Sequence, residues 1–375
     1  MRSYGAALSH SLAFAIALFV NRMDDWPALA WIFFFFLGCG FLVFDGSRYR
    51  FGSFLRSANL AWLMVIGVVV FLYNRTYGVT PEIWTLAAMP MLALCMKKQY
   101  LKYYIWGFGA VIITFSIGLI TQWAFHIAPT NGAYRYTWVF NPAWPAAAWP
   151  MIDPNNAALV LNCALLPIFY SSLKVSKWIP VGLLLIAALF FTGSKAGIGA
   201  AVIGCLYLAV QTVGFRWWLG FVCAACAACA ALAWLPLGFA FASRLPLWGA
   251  AASLLDINPL TGVGVGVFQN YYQHIRTEHY SSGFFAHNDM LQIAVEMGIP
   301  AAFVFGLQWV VASLETCPAN RVSAAVLFAI LAQSMVEFQF YVPAISLLAG
   351  LAFAWHTYHN EEATWEESGL HLSGQ

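Results

Sequence analysis

The stretch "PALAWIFFFFLGCGFLVF", residues 27–44, runs without a charged side chain, and apolar runs of this kind recur along the chain. A bilayer's hydrocarbon core is crossed by about 20 apolar helical residues. Lipid offers no partner to a backbone N–H or C=O, so each crossing segment must satisfy its own polar groups as a helix. Charged residues make up 9% of the sequence and hydrophobic ones 62%, against about a quarter charged in an ordinary soluble domain, and the mean hydropathy is +0.74. A soluble fold is excluded on this pattern. The expectation is an all-α polytopic membrane protein of about twelve transmembrane helices, with residues 1–375 forming a single integral membrane domain. The spans fall near 5–20, 27–44, 58–73, 82–96, 101–122, 155–172, 178–193, 197–214, 217–236, 291–310, 322–336 and 343–357.

The net charge of +2 says little about partners. Membrane lipid is the partner the composition implies, and no nucleic acid is expected. The eight cysteines fall almost entirely in apolar segments, which supports neither a disulfide framework nor a zinc ribbon. Cys223, Cys226 and Cys229, in "VCAACAACAALAWL", read as small residues that let helices approach closely.

Orientation follows from the excess of Lys and Arg in short cytoplasmic loops. With the N-terminus inside, eleven of the seventeen basic residues face the cytoplasm, including those of "SRYRFGSFLR", "KKQYLK" and "KVSK". Both termini then lie inside, with a short cytoplasmic tail at 358–375. The inner loops are short, whereas two outer segments are long, about 123–154 and 237–290. Long connections in compact proteins tend to carry function, which places the chemistry on the outer face.

Within the larger loop, "GVFQNYYQHIRTEHY" sets Phe268, Tyr271, Tyr272, Ile275 and His279 on one side of a helix, suited to the membrane interface or to packing on the bundle. "TGVGVG" lacks the strand and acidic residue of a dinucleotide fingerprint, so Gly262, Gly264 and Gly266 read as turn and close-packing residues. The segment 123–154 is rich in Trp, Tyr and Pro; such aromatics form interfacial belts and also stack on sugars or prenyl chains. Asp153 and Asn155 stand where they would cap the next helix.

Three ionisable residues gather at the outer face. Lys195 separates two apolar spans with hardly any loop, Arg244 lies in "ASRLPLW", and His287 opens "HNDMLQIAVEMGIP". A cation at such depth either snorkels to lipid phosphates or meets a bound anion. Arg and Lys complement a diphosphate, and an imidazole is suited to take a proton from a hydroxyl. The set suggests group transfer from a lipid diphosphate to an alcohol. Glu296, two turns below His287, needs a polar partner or a wet cavity, and Glu337 and Gln339 stand near the outer end of the eleventh span. His274, His279, His287 and Asp289 match no metal-ligand spacing, and no metal or other cofactor is expected.

The ordered series "DPNNAALVLNCALLP" (153–167), "TGSKAG" (192–197), "SRLPLWGAAASLLDINPLTGVGVGVF" (243–268) and "AHNDMLQIAVEMGIP" (286–300) resembles the bacterial O-antigen ligase, O-antigen polymerase and protein O-oligosaccharyltransferase superfamily. The resemblance covers roughly residues 150–345. It implies a C-type glycosyltransferase-like bundle with a large periplasmic loop between two late helices, in the bacterial inner membrane. It further implies metal-independent, inverting transfer of a glycan from undecaprenyl diphosphate to a sugar hydroxyl, on lipid A core or on a growing polysaccharide. By the same resemblance His287 is the general base, and Arg244 and Lys195 hold the diphosphate. Lys195 stands where the superfamily usually has Arg, which puts bidentate phosphate binding there in question. Asn288 is expected to cap its helix or contact substrate. Asp289 is expected to accept first-turn N–H groups or orient the imidazole, with Glu337 and Asn155 as supporting residues. A protein O-oligosaccharyltransferase acting on Ser or Thr is one alternative. A flippase for lipid-linked sugar is another, though no internal repeat of the kind transporters carry is visible.

Overall fold

The computed structural model describes residues 2–18, 26–43, 54–73, 82–96, 98–125, 137–138, 141–145, 147–148, 151, 153–172, 175–213, 244–275, 285–314 and 320–367. Among the described residues eight α-helices precede residue 214: α1 (Arg2–Ala17), α2 (Trp26–Val43), α3 (Phe54–Tyr73), α4 (Glu82–Cys95), α5 (Lys98–Ala124), α6 (Pro154–Ser172), α7 (Ile179–Thr192) and α8 (Lys195–Val213). After residue 243 come α9 (Leu245–Leu255), α10 (Phe268–Ile275), α11 (Asp289–Met297), α12 (Ile299–Leu314), α13 (Arg321–Ser334) and α14 (Pro343–Glu367). The helical segments follow the apolar runs closely, because an apolar run of this length satisfies its backbone only as a helix. The expected span at 217–236 lies outside the described residues.

Three features differ from the sequence reading. The span expected at 291–310 is two helices, interrupted at Gly298, whose φ of 92° no residue with a Cβ adopts readily. The segment 237–290, expected as an outer loop with one helix, holds two helices among its described residues, since α9 precedes α10 and packs against α11. The segment 123–154 holds a short antiparallel pair, Thr137–Trp138 (β1) with Asn141–Pro145 (β2), so among the described residues the regular structure is helical but for that ribbon. In addition, α14 runs on to Glu367, carrying helix into the stretch assigned to the tail.

Among the described residues one helix, at Tyr100–Ala124, is both long and apolar enough to cross a membrane, and eight apolar helices are shorter. The distribution of side chains carries more information than helix length. Phe33, Phe71, Trp106 and Phe303 lie on the outside of the bundle, while Gln292, Glu296, Gln333, Glu337, Gln339 and His356 are buried. An exposed apolar surface of this extent is a liability in water and ordinary in lipid.

The bundle forms around α4, α6, α8, α13 and α14, with α13 against α6 and α8, and α4 against α14. Trp31, Trp62, Tyr104, Phe305, Phe340 and Phe353 fill its centre. Contact of α8 with α6 is close enough that a methyl at Gly197 would overlap the side chain of Ala158. That approach brings the N-terminal ends of α6 and α8 together, and with them residues 153–155 and 194–195.

Candidate active site

The site is built from four helix starts and one turn. At the first, Asp153 precedes α6 and its Oδ1 accepts the Asn155 backbone N–H at 2.7 Å, which is the capping geometry of an aspartate. Asn155 then points inward from the first turn. Its Nδ2 donates to Glu337 Oε1 at 2.8 Å, its Oδ1 accepts the Ser194 hydroxyl at 2.6 Å, and its carbonyl accepts Gln333 Nε2 at 2.6 Å.

The second start is the tight α7–α8 connection. Gly193 ends α7 in the left-handed region at φ 64°, as a glycine after a helix commonly does. Ser194 caps α8, its hydroxyl oxygen accepting the Gly197 N–H at 2.9 Å. Lys195 follows at the first position of α8, half-buried, with no hydrogen bond or ion pair among the described residues. It is thus one residue from the serine that holds Asn155.

Arg244 precedes α9 and its guanidinium pairs with Glu337 Oε1. His287 precedes α11, and its Nδ1 lies 2.7 Å from Glu337 Oε2. A carboxylate can only accept, so Nδ1–H is the donor and Nε2 of the neutral ring is left with its lone pair. The ring meets Phe338 edge-on at 5.0 Å between centroids. His287 holds φ 51°, among the described residues the one non-glycine residue at positive φ, a conformation that persists when its surroundings over-determine it.

Those surroundings are the turn between α13 and α14. Besides the His287–Glu337 bond, Asn288 Nδ2 donates to the Met335 carbonyl at 3.0 Å, and Asp289 accepts the N–H groups of Gln339 at 2.7 Å and Phe340 at 3.3 Å. Asn288 also caps α11, its Oδ1 accepting Leu291 N–H at 3.0 Å. Asp289 therefore neither serves its own first turn nor touches the imidazole. It fixes the segment that presents Glu337.

Glu337 is fully enclosed, while the side chains of Arg244 and His287 keep 15% and 26% of their surface exposed. Burial pushes the Asp153 carboxyl up to about 7, helped by the negative Glu337 and opposed by the Asn155 N–H, His287 and Arg244. Glu296 finds its partners away from this cluster, accepting from Tyr341 Oη at 2.6 Å, Gln292 Nε2 at 2.8 Å and Phe268 N at 3.4 Å. Among the described residues no three His, Cys, Asp or Glu side chains converge as metal ligands, and His279 lies outside them.

The structure thus brings His287, Arg244, Glu337 and Asn155 into one network, sets Lys195 at its edge, and turns Asn288 and Asp289 to its support. The sequence reading missed Ser194 and Gln333. Neither carried a signal beyond being polar at a helix end, and Gln333 acts on a backbone carbonyl that no sequence pattern marks. Glu337 did carry one, as a lone acid between apolar segments.

A scan against protein families matches residues 180–306 to O-antigen ligase, and a search of curated proteins returns no match. The matched segment holds Lys195, Arg244 and His287, while Asn155 and Glu337 lie on either side of it. The family is one of membrane proteins and supports a ligase- or polymerase-type glycosyltransferase. The resemblance drawn from the ordered sequence motifs is thereby borne out, and the chain is similar over residues 180–306 to the O-antigen ligases of the ligase and polymerase superfamily.

Proposed function

We propose that the chain is a multi-pass enzyme of the bacterial inner membrane, of about twelve transmembrane helices with both termini cytoplasmic. Its outer, periplasmic site transfers a glycan from undecaprenyl diphosphate to a sugar hydroxyl of lipid A core or of a growing polysaccharide. The observation that carries the reading is the convergence of His287 and Arg244 on one buried carboxylate. An oriented imidazole beside an anion-binding guanidinium is what an alcohol displacing a diphosphate requires.

The acceptor O–H loses its proton to His287 Nε2 as its oxygen attacks the anomeric carbon. The bond from that carbon to the diphosphate oxygen breaks, and undecaprenyl diphosphate leaves with the electron pair. Attack opposite the leaving group inverts the anomeric centre. Arg244, with Lys195 as a second cation at the rim, complements the charge gathering on the diphosphate. Reaction requires no metal ion and no other cofactor on this reading, since the guanidinium and ammonium supply the counter-charge. His287 then returns its proton to solvent.

The test is a reconstituted reaction with lipid-diphosphate glycan and three acceptors: core oligosaccharide, polysaccharide and a Ser/Thr peptide. His287→Ala should fold and lower turnover by about 10²–10⁴-fold, the usual worth of a positioned base. Full turnover in that variant removes the base. Transfer to the peptide alone would make the enzyme a protein O-oligosaccharyltransferase, and movement of donor across the bilayer without transfer would make it a flippase.

A further inference from the structure

We infer that Glu337 is a positioning residue shared by both halves of the reaction: a donor diphosphate that draws Arg244 off Glu337 leaves that carboxylate to His287, so that donor binding strengthens the base awaiting the acceptor. The inference rests on the transferase reading above and deepens it.

The two oxygens of Glu337 are divided between partners. Oε2 accepts from His287 Nδ1 at 2.7 Å, and Oε1 takes Arg244 together with Asn155 Nδ2 at 2.8 Å. The carboxylate is fully enclosed, whereas Arg244 and His287 both reach solvent. An incoming anion therefore meets the guanidinium and the imidazole but not the acid between them. A diphosphate offers a guanidinium several charged oxygens in bidentate geometry, where Glu337 offers a single one already shared with an amide. The carboxylate itself has no freedom to follow. Asn155 holds Oε1 and is held in turn by Ser194 and Gln333, while Asn288 and Asp289 fix the turn that carries Glu337.

Once Arg244 swings outward, His287 is the ionisable side chain still hydrogen-bonded to Glu337. Other charges facing the ring are Asp153 at the start of α6, which feels both His287 and Glu337, and Arg244 itself before α9. Asp289, on the helix His287 opens, is committed to the N–H groups of Gln339 and Phe340. Loss of the arginine's positive charge from this enclosed group makes a proton on the imidazole more favourable. The base thus gains strength when the leaving group is seated.

The experiment uses full-length protein in nanodiscs and farnesyl diphosphate as the probe, with proton uptake followed by a pH dye in weak buffer near neutrality. Wild type should take up a fraction of a proton per bound probe. Glu337→Gln should lose that uptake while still binding, and so should His287→Gln. Equal uptake in wild type and Glu337→Gln overturns the coupling, because a probe acting on His287 through space would need no carboxylate. Should Glu337→Gln fail to fold, wild type alone decides. The acidic limb of its kcat profile should lie at higher pH than that of kcat/KM for donor, and coincident limbs overturn the proposal. Transfer without uptake sinks the coupling alone. Uptake without transfer to any acceptor sinks the transferase reading alone, and absence of prenyl diphosphate binding sinks both.

Discussion

His287, Asn288 and Asp289 are three consecutive polar side chains with one destination. The imidazole meets Glu337, the amide the Met335 carbonyl, and the carboxylate the N–H groups of Gln339 and Phe340. A residue held at φ 51° needs such support, since the left-handed region costs about 1–2 kcal/mol for a residue with a side chain. Replacing Asn288 by Ala removes both the cap of α11 and one of the three ties. The expected cost is about 1 kcal/mol of stability, read as a lower melting temperature in detergent, together with a larger loss of turnover as the ring loses its aim. An unchanged turnover would separate the cap from the site.

Asp153 supplies a pH signature at the same scale. Its folded-state pKa of about 7 stands above the ordinary aspartate value near 3.9. Between those two values the folded chain holds a proton that the unfolded chain does not, so stability falls as pH rises through the window, and the penalty is complete above it. Asp153→Asn keeps the oxygen that accepts the Asn155 N–H and removes the charge. Relative to wild type it should gain stability at pH 8, on the order of 1–3 kcal/mol, and about a third of that at pH 5. Parallel melting curves for the two proteins at both pH values would show that Asp153 carries no such penalty.

At the scale of elements, the break between α11 and α12 organises the segment that leads into the site. Gly298 carries φ 92°, and Ile299 N–H donates to the Pro259 carbonyl at 2.8 Å. The glycine-rich loop before α10 closes on the end of α11, with Val263 and Gly264 N–H donating to the carbonyls of Val295 and Glu296 at 2.8 and 2.9 Å. Carbonyls at the end of a helix have no partner within it, and here the loop provides one. This is the use of "TGVGVG", whose backbone lies so near that a Cβ on Gly262 would overlap Glu296 and one on Gly298 would overlap Leu260. Gly298→Ala should therefore cost at least about 1–2 kcal/mol from backbone conformation alone, before any overlap is relieved. Loss of monodisperse folded protein on size exclusion is the expected result, and wild-type melting behaviour would mean that the break is not required.

At the scale of the whole molecule, polarity runs opposite to that of a water-soluble protein. Phe33, Phe71, Trp106 and Phe303 face outward, while carboxylates, amides and His356, paired with Asn320 and Ser323, lie within. The proposed topology sets Ser176, ahead of α7, in the cytoplasm and the loop at 256–261 in the periplasm. In a background lacking the eight native cysteines, Leu260→Cys should react with a membrane-impermeant maleimide in intact cells once the outer membrane is opened. Ser176→Cys should react only after lysis. The reverse pattern would turn the molecule over and move the site to the cytosol.

Most of the helix plan was legible before any coordinates, because a run of apolar residues facing lipid has a single way to satisfy its backbone, and that requirement is local. His287, Arg244, Lys195 and Glu337 were legible as residue types for a related reason, since an ionisable side chain in such surroundings is costly without a purpose. What the amino-acid order did not contain was the arrangement among them. The division of Glu337 between an imidazole and a guanidinium, the hold of Ser194 and Gln333 on Asn155, and the break at Gly298 all join segments separated by tens to hundreds of positions. Such contacts depend on how helices pack and how backbone carbonyls turn, and periodicity along one chain segment carries no record of either.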